Sequence, residues 1–414
     1  MGKPSIFALV LLALLTTTKS PEAQCKPSFS DETDAEIQRL SEAPKRNPAD
    51  PVLLYNLAAD YAAKCDRAKT LELLRKVAAL PGGLDPSEYR GFAFVRDRPE
   101  FKAIVARIRQ ANPAKVRSTP AFVIKERDLF PEGMAYARFN GRVYAGSVKR
   151  KIIWTDSSGT VHDLVTVAQD GLAYVAGLHV DEQRKQLWAV SSKFGNAPEL
   201  KDAIVGLFQY DLVSGKVLKV FKAPNASSGY LNDVTLVPST GVAYTTNTAE
   251  GSVYSTNAKT NTLDRFLPPG SVAGANGIAL GDDEKFLFVA GDFGIFRVDV
   301  NTKKVVELSK PADVIDASMD GLYFYRGSLV GIQNGIHPGR VMRFYLDSAL
   351  GSITRAEIVE TYNPEFENPT TGSLDSDSFL FMANPQLHRW VPGKPAPPLA
   401  QLHDIHILRI ALAH

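Results

Sequence analysis

Residues 275–299 read ANGIALGDDEKFLFVAGDFGIFRVD, and this stretch decides the fold. A short apolar strand follows Asn276-Gly277, a few polar residues lead to a second strand at Phe286–Ala290, and a polar turn leads to a third at Gly294–Asp299. Runs of β-branched and aromatic residues between Gly, Asn and Asp turns are all-β material. The unit recurs. Second strands begin at Arg142, Gln186, Val242, Phe286, Ser328 and Phe379, and their partners begin at Lys151, Gly206, Gly251, Gly294, Arg340 and Gln386. A spacing of about 40 to 55 residues is the size of a four-stranded propeller blade. The expected fold class is therefore mainly β: a six-bladed β-propeller over residues 121–414. Ala121–Lys125 and Ile405–Ile410, one from each end of that domain, are the strands expected to close the ring and remove its exposed edges.

Residues 24–112 have helical periodicity, with apolar side chains three and four apart at Leu53, Leu54, Leu57, Ala58 and Tyr61, then at Leu71, Leu74 and Val77. Within it Leu54 to Leu80 resembles one tetratricopeptide repeat, although Thr70 stands where that repeat prefers Ala and Cys65 where it prefers a turn Gly. A second hairpin is expected over Pro86–Ile108, with Phe92, Phe94, Phe101 and Ile104 inside. So short an array either leans on its neighbour or binds a protein partner through its helices. Residues 113–120 are polar, begin and end in proline and read as a linker.

Residues 1–23 have the layout of a signal peptide: Lys3, an apolar run from Ile6 to Leu15, and a small residue at Ala23. Lipid attachment at Cys25 is the rival reading, disfavoured by the residues before it. No run approaches the roughly 20 apolar residues a membrane span needs, so the expected location is secreted or periplasmic. Removing residues 1–23 takes the formal charge from +2 to +1, which does not point to nucleic acid. Cys25 and Cys65 are the two cysteines, either disulfide-bonded or buried as thiols.

The innermost strands of a propeller start near the axis on one face, so residues there converge. Those positions read Pro131-Glu132-Gly133, Leu231-Asn232-Asp233, Ala275-Asn276-Gly277 and Met319-Asp320-Gly321, and the last three lie 44 residues apart. Two carboxylates and two amides, with no His or Cys, make a hard oxygen-only set suited to Ca2+ or another divalent cation. Each tripeptide alone is also an ordinary turn.

Jointly the motifs resemble the gluconolactonase and regucalcin (senescence marker protein) family of six-bladed calcium propellers, related to the paraoxonases and strictosidine synthase-like proteins. The resemblance spans about Phe122 to Leu412. It implies Glu132, Asn276 and Asp320 as metal ligands, with Asn232 completing or flanking the site. It further implies hydrolysis of a lactone or related ester, with Asp320 as general base or as ligand only, and Asp233 as a weaker second candidate. Met319 replaces the family's proline. Val175-Ala176-Gly177 stands where a paraoxonase has Pro-His-Gly, and His179 lies two residues beyond. Substrate recognition is expected from Gln333–His337, Ser192–Asp202 and Pro369–Gly372. Asn225–Ser227 matches a glycosylation acceptor. The alternative is a non-enzymatic calcium-binding propeller that holds a small ligand or a protein partner.

Overall fold

The computed structural model describes residues 50–193, 198–224 and 230–412. The signal-peptide, Cys25 and Asn225–Ser227 readings, the helical residues before 50 and part of the Ser192–Asp202 stretch lie outside these. Among the described residues three α-helices precede the strands. Asp50 caps α1 (Pro51–Ala63) by accepting from Val52 N at 2.8 Å and Leu53 N at 3.2 Å, with Pro51 pre-set for the first turn. Asp66 caps α2 (Arg67–Ala79) through Lys69 N, and the buried Thr70 hydroxyl donates back to Asp66 O. Cys65 adopts φ +61° in the turn between the two helices, the conformation for which a turn usually supplies Gly, and it is disulfide-bonded. Of the expected second hairpin only α3 (Pro99–Ala111) is a full helix. Residues 90–98 form a short 3₁₀ segment and turns, because Pro99 can start a helix but cannot continue one.

The rest is a β-propeller-like ring with 24 strands among the described residues, numbered in chain order. Its innermost strands are β2 (Pro131–Ala137), β6 (Tyr174–Asp181), β10 (Leu231–Leu236), β14 (Ile278–Leu280), β18 (Met319–Tyr325) and β22 (Gly372–Asp375). Each packs against the next, and β22 packs against β2, so the inner strands close on themselves. Apolar side chains fill the spaces between neighbouring strand groups. Tyr144 and Ile152 meet Leu178 and Phe208, Phe288 and Ala290 meet Met319 and Leu329, and Leu380 and Ile405 meet Met134 and Val143.

The hydrogen-bonded sheets correct the expected count. They number five: four of four strands and one of eight. The eight-stranded sheet arises because β9 (Val217–Lys222) and β13 (Thr262–Leu267) meet through one parallel pairing, Lys222 with Thr262. A second correction concerns Gln386–Trp390, expected as a third strand. Gln386 sits at φ +59° and opens a 3₁₀ turn, its side chain tied to the His403 backbone. Its place is taken by β24 (Ile405–Ala411), which lies between β23 (Ser378–Met382) and β1 (Thr119–Ile124). The strand from the N-terminal side thus closes the ring by pairing with the strand from the C-terminal end.

Strand β1 begins at Thr119, inside the expected linker, and the residues before it are pinned. Buried Glu360 accepts from Arg117 N at 2.8 Å, Ser118 N at 3.0 Å and Ser118 Oγ at 2.6 Å. The helices share one apolar core with the ring: Leu57, Leu74, Phe92 and Phe101 pack with Ile315, Ala317 and Ile336.

Candidate metal centre

Four inner strands break their ladders at the same place. In β2 the register shifts between Pro131 and Met134, in β6 between Val175 and Leu178, in β10 between Leu231 and Val234, and in β18 between Met319 and Leu322. Each break sets two residues against one on the partner strand, which is a β-bulge and re-aims the side chains it carries. The bulged pairs are Glu132-Gly133, Ala176-Gly177, Asn232-Asp233 and Asp320-Gly321. Asn276 lies just before β14 and is held by Asn276 N to Ala290 O at 2.9 Å.

Glycine lets the bulges close up. A Cβ on Gly277 would lie 2.1 Å from Asp320 O, and one on Gly177 would lie 2.8 Å from the Asp233 Cα. The ring closes through Thr371 Oγ1, which donates to Glu132 O at 2.7 Å, and through Thr370 Oγ1, which donates to the same oxygen.

The side chains gathered there are mostly acidic. Asp233 accepts from Val234 N at 2.8 Å with Oδ1 and from Ile278 N at 3.2 Å with Oδ2, so it ties β10 to β14. Asp320 Oδ2 accepts from Asn334 Nδ2 at 2.5 Å, and Asn276 also hydrogen-bonds Asp320. Burial pushes both aspartates up to about 7. The two backbone donors restrain Asp233, and the two amides restrain Asp320. Glu132 is raised well above the usual carboxylate range, first by desolvation and then by the charges of Asp320 and Asp233. No lysine, arginine or histidine offsets these groups among the described residues. Desolvated like charges favour protons or a bound cation. The phenols of Tyr230 and Tyr323 are raised by desolvation and by the same carboxylates, which places both beside the cluster.

Glu132, Asn276 and Asp320 are therefore brought together, and Asp233 joins them. Asn232 is buried, and its Nδ2 donates to Thr248 Oγ1 at 2.9 Å, which in turn donates to Ala275 O. The side-chain oxygen of Asn276, Oδ1, is buried without a hydrogen-bond partner. Among the described residues no three His, Cys, Asp or Glu side chains form a metal-binding group by themselves.

The other expected residues have different places. His179 lies opposite Trp188 in the β6 ladder, half-buried, and desolvation pushes its imidazole down to about 4. Ala176 stands in the place of the expected histidine, and the Gly177 beside it lies against Asp233. Gln333 turns inward to Ile315 O and Ala317 O, and Thr370 and Thr371 brace Glu132, so these parts of the expected recognition loops act as supports. Asn334 as partner of Asp320, and both tyrosines, escape a tripeptide search. Counting back from the Arg326-Gly327 turn, with φ +45° and +68°, sets Asp320 opposite Gln333 and so brings Asn334 near, and the bulge then shifts the register until Met319 pairs with Gln333.

Among the described residues no helix is long and apolar enough to cross a membrane. No family model matches the chain, and no curated protein matches it. Among solved structures the chain is similar to one from a nidogen/laminin complex, with a TM-score of 0.42 and 12% identity over 56% of this chain and 80% of that one.

Proposed function

We propose that this chain is a calcium-dependent hydrolase of a lactone or related ester, a six-bladed propeller of the gluconolactonase and regucalcin kind with its cation on the axis. The five hydrogen-bonded sheets are read as six blades by dividing the eight-stranded one at its single pairing. The two halves have their own apolar layer between them, with Trp188 and Phe221 of one against Leu231 and Tyr254 of the other.

The observation that carries the cation is Asn276 Oδ1, a bare buried oxygen beside Asp320 in a cluster of acids that no cationic side chain offsets. Such an oxygen set fits a hard divalent cation. Glu132, Asn276 and Asp320 would hold it, with Asp233 and Asn232 flanking. When bound, calcium supplies a Lewis acid for a carbonyl and positive charge for an oxyanion. The chain supplies the rest. Asn334 fixes the Asp320 carboxylate, which is placed to accept a proton from water, and Tyr230 and Tyr323 wall the site. The disulfide at Cys65 fits an exported, oxidised protein, and the α1–α2 hairpin fits a single tetratricopeptide-like unit.

A non-enzymatic calcium propeller is the second reading, favoured by the placement of His179 in a strand interior, where the carboxylate acting on it is Asp181 and not one of the clustered acids. Titrating calcium into chelator-treated protein and assaying sugar and aliphatic lactones separates the two. The hydrolase reading expects a calcium-dependent rise in melting temperature and lactone turnover, both lost in Glu132→Gln. Binding without turnover selects the second reading, and no calcium effect in the wild type overturns both.

A further inference from the structure

We propose that the helical unit is a working part of the axial site: through Gly82, Arg340 and Gln333 it sets the position of the Asp320–Asn334 pair. The inference rests on the cation reading above and adds positioning residues to it.

Asp320 lies between two segments, residues 315–319 before it and Gln333-Asn334 across the hairpin of β18 and β19 (Ser328–Gln333), where Met319 pairs with Gln333. Gln333 is fully buried and joins the two. Its Nε2 donates to Ile315 O at 2.9 Å and Ala317 O at 2.7 Å, and its Oε1 accepts from Arg340 Nε at 2.7 Å. Arg340 is 2% exposed, and its Nη1 donates to Gly82 O, in the segment that follows α2.

Gly82 has φ +113°, and a Cβ there would lie 2.2 Å from Ile315 Cδ1, so the helical unit's backbone rests directly on the segment leading to Asp320. A second link lies alongside: Asp85 N donates to His337 O at 2.8 Å, and the Asp85 carboxylate accepts from Arg109 Nε and Tyr362 OH. Ile315, Ala317 and Ile336 belong to the helical core itself. Both flanks of the Asp320–Asn334 pair are thus packed into the helices.

Arg340 makes this contact specific. Among the described residues no carboxylate pairs with it, and its recorded partners are the oxygens of Gln333 and Gly82. A buried guanidinium with only neutral acceptors is costly when one is lost, so its hold on Gln333 depends on the helical unit. Asn334 follows Gln333 directly and has little freedom to donate to Asp320 from any other position.

The test uses the full chain, with calcium affinity read by calorimetry in wild type, Arg340→Gln, Gly82→Ala, Asn334→Ala and the Arg340→Gln/Asn334→Ala double variant. Arg265→Gln, which removes a surface ion pair with Glu250, is the control. Loss of one hydrogen-bonded link is expected to weaken calcium binding about tenfold in each of the first three variants. The double variant is expected to bind no more weakly than the poorer single, because both changes act through one carboxylate. A simple loss of packing would instead lower the melting temperature, leave the affinity unchanged and give no coupling. Wild-type affinity in folded Arg340→Gln and Gly82→Ala, or additive losses in the double variant, overturns the inference. If Arg340→Gln does not fold, Arg340→Lys and Gly82→Ala decide. If the wild type binds no calcium, the cation reading falls. The relay is then judged by hydrogen exchange in chelator, where faster exchange at residues 319–325 than at residues 244–257 in Gly82→Ala supports it and equal exchange refutes it.

Discussion

Asp320→Asn separates the cost of a buried carboxylate from its use. Asp320 is 6% exposed, and its carboxyl is raised from the usual value of 3.8 to about 7, chiefly by desolvation. A raised carboxyl means that the unfolded chain gives up its proton first. In cation-free protein this group's cost to the native state is therefore absent below pH 3.8, grows as the pH rises, and levels off above about 7. About three pH units correspond to roughly 4 kcal/mol as an upper bound at pH 8. Spread over the unfolding entropy of a chain this long, that is ~5 °C in melting temperature. Asparagine removes the charge and keeps an oxygen for Asn334. In chelator at pH 8 the variant is expected to melt above the wild type by up to that amount, and at pH 4 by much less. With saturating calcium the order reverses, because the wild type gains a bound cation and the variant does not. Differential scanning calorimetry at both pH values, with and without calcium, gives the four comparisons. A variant that melts below the wild type in chelator at pH 8 would refute the picture of an acid group buried without a cationic partner.

Gly277→Ala places a Cβ 2.1 Å from Asp320 O and 2.7 Å from Leu322 N, both backbone atoms that cannot swing away. It is expected to cost about 2–3 kcal/mol by overpacking, read in a urea melt, and to weaken calcium binding as β14 and β18 separate. Glu360→Ala strips a fully buried carboxylate from Arg117 N, Ser118 N, Ser118 Oγ and Asn363 Nδ2. Leaving those donors unsatisfied is expected to cost about 2–5 kcal/mol and to open residues 113–120 to limited proteolysis, and unchanged cleavage there would remove Glu360 as the tether.

The repeated strand pairs made the ring-like β architecture legible from the sequence, because each sheet's middle strands are buried on both faces and show near-continuous apolar runs such as Phe286–Ala290. Glu132, Asn276 and Asp320 were legible for a related reason: equivalent positions in successive units map onto one axis. Register with the rest of the chain was not. The Gln386–Trp390 segment stands where the repeat puts a third strand, and it lost that place to β24 through the left-handed Gln386 and its bonds to His403. The choice between Asn232 and Asp233 was likewise beyond the sequence. A bulge presents two adjacent residues against one, and only the tertiary contacts of Asp233 with Ile278 and of Asn232 with Thr248 show where each side chain goes.

By itself, then, the sequence determined which residues recur at the head of each inner strand and that an all-β ring follows a helical unit. These are periodic properties, encoded locally and readable one segment at a time. Only the tertiary structure decided that Asn334 holds Asp320, that Tyr230 and Tyr323 face the acids, and that the helices reach the site through Gly82 and Arg340. Those pairings join residues up to 258 positions apart. Their partners are chosen by burial and by the need to satisfy buried polar groups, which are properties of the packed chain and of no segment within it.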